Sequence, residues 1–264
     1  ELLSPVGDFE CLKAGVQNGA DSIYLGSDTF SARAFASNFP LDKLEEAIQY
    51  AKIRGVKTHL TLNTLITDTE FESAMALAKN AYRFGIDAII VQDLGLAIKL
   101  IKTFPDLPIH ASTQMTVHNL NGALELQDLG FRRVVLAREL SINEIAYICK
   151  NTDIEIETFI HGALCISYSG QCLFSSMLGG RSGNRGKCAG PCRLPFELLE
   201  NNKRINSGYI LSTRDLCGLE FIPDLINAGV KSLKIEGRMK SPEYVATVTR
   251  IYRKYIDLAL SNNE

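Results

Sequence analysis

Short apolar runs recur along this chain, and each is preceded by an amphipathic stretch that ends in glycine. The junctions are Asn18-Gly19-Ala20-Asp21 before SIYLG, Arg54-Gly55-Val56-Lys57 before THLTLN, Phe84-Gly85-Ile86-Asp87 before AIIVQ, Leu129-Gly130-Phe131-Arg132 before RVVLA, and Ala228-Gly229-Val230-Lys231 before SLKIEG. Glycine just past a helix supplies a left-handed cap, and a short loop then feeds a buried strand. Junctions of this kind predict alternating helices and strands. The strands fall at 1–5, 22–26, 58–63, 88–93, 109–113, 133–138, 154–161 and 232–237, with helical patterns at 41–54, 69–84, 119–129, 141–150 and 242–260. Ser141 and Glu144 have the spacing of a capping box. Eight strands with helical crossovers predict a single domain over 1–264, a (β/α)8 TIM-like barrel, with an open doubly wound sheet as the alternative.

The rhythm breaks once. Between the seventh strand and the helix before the eighth lies an insertion, 162–213, whose second part (PFELLENNK, then RINSGYILS) reads as a β-hairpin. Loops that follow the strands build the active face of such a barrel, so the insertion is expected there. Strand alternation sends Ile154, Ile156, Thr158 and Ile160 toward the helices, and Glu155, Glu157, Phe159 and His161 inward. By the same count Lys234 and Glu236 point in with Arg238 just beyond, His59, Thr61 and Asn63 point in from the third strand, and Ser112 or Gln114 reaches the mouth from the fifth. Barrel interiors are normally filled by branched apolar residues, so this polar set predicts a ligand at the mouth. Two competing readings are structural: Glu157 and Glu236 pairing with Lys234 or Arg238, and His59 and His110 acting as hydrogen-bonded core residues. His118 reads as a helix-end residue.

Composition narrows the class. No apolar run approaches the roughly 18 residues of a membrane span, and the start of the chain lacks a basic and then apolar leader pattern. A cytoplasmic location away from the membrane is expected. The formal net charge of −2 offers no global attraction for nucleic acid, so binding of that kind needs a local patch. Arg181, Arg185, Lys187 and Arg193 supply one inside the insertion, suited to RNA or to a small anionic metabolite.

The same insertion holds Cys165, Cys172, Cys188 and Cys192, with six, fifteen and three residues between them, and Cys217 follows. An odd total of seven cysteines without a leader argues for metal ligation or thiol chemistry over a disulfide framework. Thiolates on a Gly-rich loop suit an iron–sulfur cluster. Zinc is less well matched, because its tight two-residue knuckles are missing, and free redox cysteines are the third reading. Cys11 and Cys149 sit in helical patterns as small hydrophobes. A phosphate loop at Gly186-Lys187 is rejected, since Arg181 and Cys188 stand where Gly and Ser or Thr are required. Neither His-Glu-x-x-His nor Gly-x-Ser-x-Gly occurs.

The run Glu157-Thr-Phe-Ile-His161-Gly-Ala-Leu-Cys165, continuing through Ser169-Gly170-Gln171-Cys172 and Arg181-Ser-Gly-Asn184-Arg-Gly186-Lys-Cys188 to Cys192-Arg193, resembles the signature of the collagenase-like peptidase family, peptidase family U32. Glu1-Leu-Leu-Ser-Pro5, His110-Ala-Ser-Thr-Gln114 and Lys234-Ile-Glu236-Gly-Arg238-Met-Lys240 extend the resemblance over essentially the whole chain. Two functions follow from it. The family name implies a protease. Relatives that hydroxylate a tRNA wobble uridine, an rRNA base or the ubiquinone ring imply a hydroxylation factor with a 4Fe–4S cluster, prephenate as hydroxyl donor in some, and a paralogous partner protein. The resemblance implies Cys165, Cys172, Cys188 and Cys192 as cluster ligands, with Cys217 as the competitor of Cys192. It is consistent with Glu157, His161, Glu236 and Arg238 as catalytic residues, and with Gln114, Arg138, Arg181, Asn184 and Arg193 as substrate contacts.

A protease needs an activated nucleophile or an open metal site, and the sequence spells out neither. A cysteine-ligated cluster above a polar barrel mouth is a redox arrangement, so RNA base hydroxylation is the expected function. An RNA-binding scaffold with a structural cluster is a further reading. Family members usually continue into a small C-terminal domain beyond the residue matching Glu264.

Overall fold

The computed structural model describes residues 1–33 and 36–261. Seven parallel strands come first: β1 (Leu2–Pro5), β2 (Ser22–Gly26), β3 (Lys57–Leu62), β4 (Ala88–Val91), β5 (Ile109–Ala111), β6 (Arg133–Val135) and β7 (Glu155–Gly162). The insertion then contributes β8 (Phe196–Glu200), β9 (Lys203–Gly208) and β10 (Leu216–Cys217), and β11 (Ser232–Ile235) is the eighth barrel strand. The parallel strands follow the order β7-β11-β1-β2-β3-β4-β5-β6, and β6 pairs back onto β7 through Arg133↔Glu155 and Val135↔Glu157. That last pairing closes the sheet. The fold is a TIM-like barrel, and the open-sheet alternative is excluded.

Helices α1 (Phe9–Gln17), α2 (Leu41–Lys52), α3 (Asp68–Phe84), α4 (Leu94–Thr103), α5 (Leu120–Asp128) and α6 (Ile142–Lys150) are the first six crossovers. A short α7 (Phe174–Gly179) lies in the insertion, α8 (Ile222–Asn227) leads into β11, and α9 (Pro242–Ser261) closes the outer ring. All five junction glycines have positive φ, from 73° at Gly55 to 95° at Gly130 and Gly229, which is the conformation that ends a helix at minimal steric cost. Ser141 and Glu144 form the expected capping box on α6.

The apolar core sits between strands and helices. Leu25, Leu60, Ile89, Ile156, Ile160 and Ile235 are among its fully or nearly fully buried members, each stabilising the fold by about 1.5–3 kcal/mol. Inside the barrel the apolar residues shrink to a cluster of Leu3, Tyr24 and Ile90. Charged and neutral polar residues fill the rest. Arg133 bonds Glu1 (2.6 Å), Glu155 (2.7 Å) and Glu157 (3.2 Å), and Lys234 bonds the other oxygen of Glu157 at 2.8 Å. A buried charge is tolerated when it is paired and hydrogen-bonded, and this column meets that condition.

Candidate active site

At the C-terminal ends of the strands the barrel opens into a cavity of about 430 Å³. Its floor is made by strand residues, including Tyr24, Thr61, Ile90, Phe159 and Lys234, with Glu236 just past β11, and its roof by the insertion. The roof is seated by close backbone approaches. Gly170 has φ +76°, and a Cβ there would stand 2.3 Å from the carbonyl oxygen of Gln114; Gly186 has φ +74°, with a Cβ only 2.1 Å from the carbonyl oxygen of Ser31. Only glycine fits either position. Polar latches add to this: Leu65 N–H donates to Asn184 O at 3.1 Å, Arg185 pairs with Glu70, and Ser169 donates to Glu139 through its N–H at 3.0 Å and its hydroxyl at 3.2 Å.

All four cysteines of the insertion, Cys165, Cys172, Cys188 and Cys192, line this cavity. Cys217 does not; it lies on β10, antiparallel to β7 and opposite His161. Glu236, Arg238, Gln114, Arg138, Asn184 and Arg193 also line it. Glu236 accepts from Arg33 at 2.8 and 3.2 Å. Arg238, 3% exposed, donates to Ser31 Oγ at 2.6 Å, to Thr61 Oγ1 at 3.0 Å and to Asn38, while its Nε has no partner among the described residues. Those partners are neutral, and burial drags this guanidinium down to about 10. Arg193 is held by Thr213 (2.9 and 3.0 Å), Ser212 (3.1 Å) and the Leu164 carbonyl. Arg181 is not part of the lining; its Nε donates to Lys187 O at 3.1 Å.

Glu157 follows the alternation count and His161 does not. Glu157 points inward but sits a layer below the mouth, with its side chain 0% exposed and both oxygens in ion pairs. Burial pushes its carboxyl up, yet Lys234 and Arg133 outweigh this and hold it at about 2. His161 was expected inward and instead leaves the interior. The β7–β11 register shifts so that Lys234 meets Phe159 and Ile235 meets His161, which is a bulge, and bulges re-aim side chains. The imidazole Nδ1 lies 3.2 Å from Tyr252 Oη on α9, outside the cavity lining.

His59 and His110 are buried in the barrel with their rings edge to face, centroids 5.0 Å apart. The Nδ1 of each has no partner among the described residues, so the expected hydrogen bond at that atom is missing. The cavity also exposes residues that the sequence reading passed over, namely Arg33, Tyr24 and Tyr168. Arg33 lies in the loop after β2, so the rule that strand-following loops build the site was its one available signal.

The sequence matches the description Peptidase family U32 over residues 7–264. The chain belongs to peptidase family U32. Among curated U32 relatives, the 23S rRNA 5-hydroxycytidine C2501 synthase of Escherichia coli is 43% identical, over 97% of this chain and 39% of that protein. The tRNA hydroxylation protein P1 of Bacillus subtilis is 37% identical, over 100% of this chain and 64% of that one. The U32 chain thus spans between about two fifths and two thirds of these relatives. Among solved structures the U32 peptidase Mk0906 superposes with a TM-score of 0.56 at 15% identity, covering 90% of this chain and 93% of that one, which supports the shared barrel fold.

The electrostatics of the U32 cavity are lopsided. Among the described residues, Arg33, Arg138, Arg193, Lys234, Arg238 and Lys240 line it against one carboxylate, Glu236. Burial raises the Glu236 carboxyl, but Arg33 first, then Arg138 and Arg238, bring it below its ordinary value. Three guanidiniums therefore share one counterion, so the cavity favours an anionic or electron-rich ligand. The cysteines stand within electrostatic reach of one another: burial raises the Cys192 thiol, Arg193 opposes this, and Cys165, Cys188 and Cys172 push it further up. No three His, Cys, Asp or Glu side chains among the described residues converge tightly enough for a single metal ion. A four-iron cluster takes one thiolate per iron, so its ligands are set wider apart than those of one zinc ion. Four soft donors around one cavity fit that larger group.

Proposed function

We propose that this chain is the barrel portion of a protein that hydroxylates a pyrimidine base of tRNA or rRNA. Cys165, Cys172, Cys188 and Cys192 would hold a 4Fe–4S cluster, which would supply one-electron chemistry when bound. The observation that carries the reading is the convergence of these four cysteines with an excess of arginines on one cavity, about large enough for a nucleobase and a small co-substrate.

The residues of the chain have separable tasks. Tyr24, Ile90 and Phe159 provide apolar surface in the cavity against which a planar ring would pack. Arg33, Arg138 and Arg238, clustered around Glu236, would hold the carboxylates of a hydroxyl donor such as prephenate, for which bidentate guanidinium geometry is well suited. Arg193 and Lys240 also line the cavity, and Arg181 and Lys187 extend the positive charge on the exposed insertion; these four would meet RNA phosphates. The 43% and 37% identity to proteins named for rRNA and tRNA hydroxylation supports this reading; the proteolysis alternative draws on the family name and on relatives named as a protease and a collagenase, 38% and 36% identical. Among the described residues no helix is long and apolar enough to cross a membrane.

Nucleoside mass spectrometry of tRNA and rRNA from a strain lacking the gene tests the proposal, together with iron and sulfide analysis of anaerobically purified protein. A hydroxylated pyrimidine that disappears in the deletion strain and returns with the wild-type gene, but not with Cys165→Ala, is the expected result. Unchanged RNA together with metal-independent cleavage of gelatin by the pure protein would overturn it.

A further inference from the structure

Lys234 stands at the cavity floor, 4% exposed, between the ion column below and the open space above. One of its three ammonium protons is taken by Glu157 at 2.8 Å. Its flanks are the ring faces of Tyr24, 4.5 Å away, and Phe159, 5.5 Å away, and Tyr24 is itself fixed by its hydroxyl donating to Ile235 O at 2.9 Å. Glu157 cannot reach the ligand, because it is fully buried behind Lys234 and its second oxygen is tied to Arg133 at 3.2 Å. The barrel thus commits four charged groups, Glu1, Glu155, Glu157 and Arg133, to fixing the Lys234 ammonium at one spot. An ammonium donates and never accepts. Glu236, the one carboxylate of the lining among the described residues, accepts from Arg33 through Oε1. At Lys234 the floor offers a donor beside aromatic faces, so this point suits a carbonyl edge of a flat ring.

We propose that Lys234 is the residue that reads a ring carbonyl of the target pyrimidine, and that Glu157 is its positioning residue. The inference deepens the RNA-base reading above and rests on it. A charge-assisted hydrogen bond of this kind is expected to strengthen binding about 10- to 100-fold.

The test compares two probes, uridine 5′-monophosphate and ribose 5-phosphate, which share the sugar phosphate and differ by the base. Equilibrium binding is measured by calorimetry on anaerobically purified protein. Wild type should prefer the nucleotide about 10- to 100-fold. The doubly neutral variant Lys234→Met/Glu157→Gln should bind ribose 5-phosphate unchanged and lose most of the preference. Lys234→Met alone, in which Arg133 still holds Glu157, is the independent second variant and should show the same loss. Lys234→Arg should restore part of it. A preference that survives in both Met-containing variants overturns this inference and leaves the RNA-base reading standing. Equal binding of the two probes by wild type, or binding of neither, removes both.

Discussion

The barrel interior should make this protein acid-sensitive well above the carboxylate range. Burial pushes the His59 imidazole down from 6.5 to about 4, and its neighbour His110 is also driven well below its ordinary value by burial. A histidine with a depressed folded value is neutral in the native state while the unfolded chain takes up a proton, so stability is lost as pH falls. The loss starts near pH 6.5 and levels off near pH 4, where the folded ring also titrates. For His59 alone the full span corresponds to about 3 kcal/mol, and about 2 kcal/mol of it is spent by roughly pH 5. His59 is 2% exposed, so solvent screens little of this. For a domain of this size the loss at pH 5 lowers the melting temperature by about 4–8 °C. The measurement is anaerobic urea unfolding at pH 7, 6 and 5 for wild type and His59→Leu, which removes both the titrating ring and its unpartnered Nδ1. Staying at or above pH 5 keeps the assay clear of Glu1 and Glu157, whose carboxyls titrate in the folded protein at about 2 and contribute stability that is lost only below about 4.5. The leucine variant should lose less stability than wild type between pH 7 and 5. An identical loss in the two proteins, or none in wild type, would refute the argument.

Other expectations concern the roof of the cavity. Gly186→Ala sets a Cβ against the Ser31 carbonyl in a left-handed backbone, at about 1–3 kcal/mol; it should lift the Cys188 segment and lower iron content after anaerobic reconstitution, with far-UV circular dichroism unchanged. Cys192→Ser should lose the cluster absorption and Cys217→Ser should keep it, because only the former lines the cavity; the reverse pattern would transfer the ligand role to Cys217. Arg185→Ala breaks the pairing with Glu70 and the bond to the Leu65 carbonyl, so limited trypsin digestion should cut the insertion faster while the melting temperature of the barrel stays within a few degrees.

The repeating frame was readable because each unit carries its own punctuation. Gly19, Gly55, Gly85, Gly130 and Gly229 mark the turn from helix to strand by a local backbone need that no tertiary context is required to decode. Inside α1, Gly15 answers to a tertiary contact that the local pattern does not record, since a Cβ there would come within 3.1 Å of Ser4 Oγ. Inward residues on β3 and β11 followed from alternation alone, since those strands run regularly as far as Thr61 and Lys234. On β7 the same rule held through Phe159 and then failed. The register shift between Lys234 and Ile235 depends on how two strands distant in sequence meet, and the period of one strand carries no record of its partner. That bulge is what takes His161 out of the cavity and gives its ring to Tyr252. Depth was equally invisible: alternation puts Glu157 and Lys234 on the same side of the sheet, yet it cannot say which stands nearer the opening. Closure of β6 on β7 sets that order, because Arg133 comes in beneath Glu157 and leaves Lys234 as the charged group that faces the ligand.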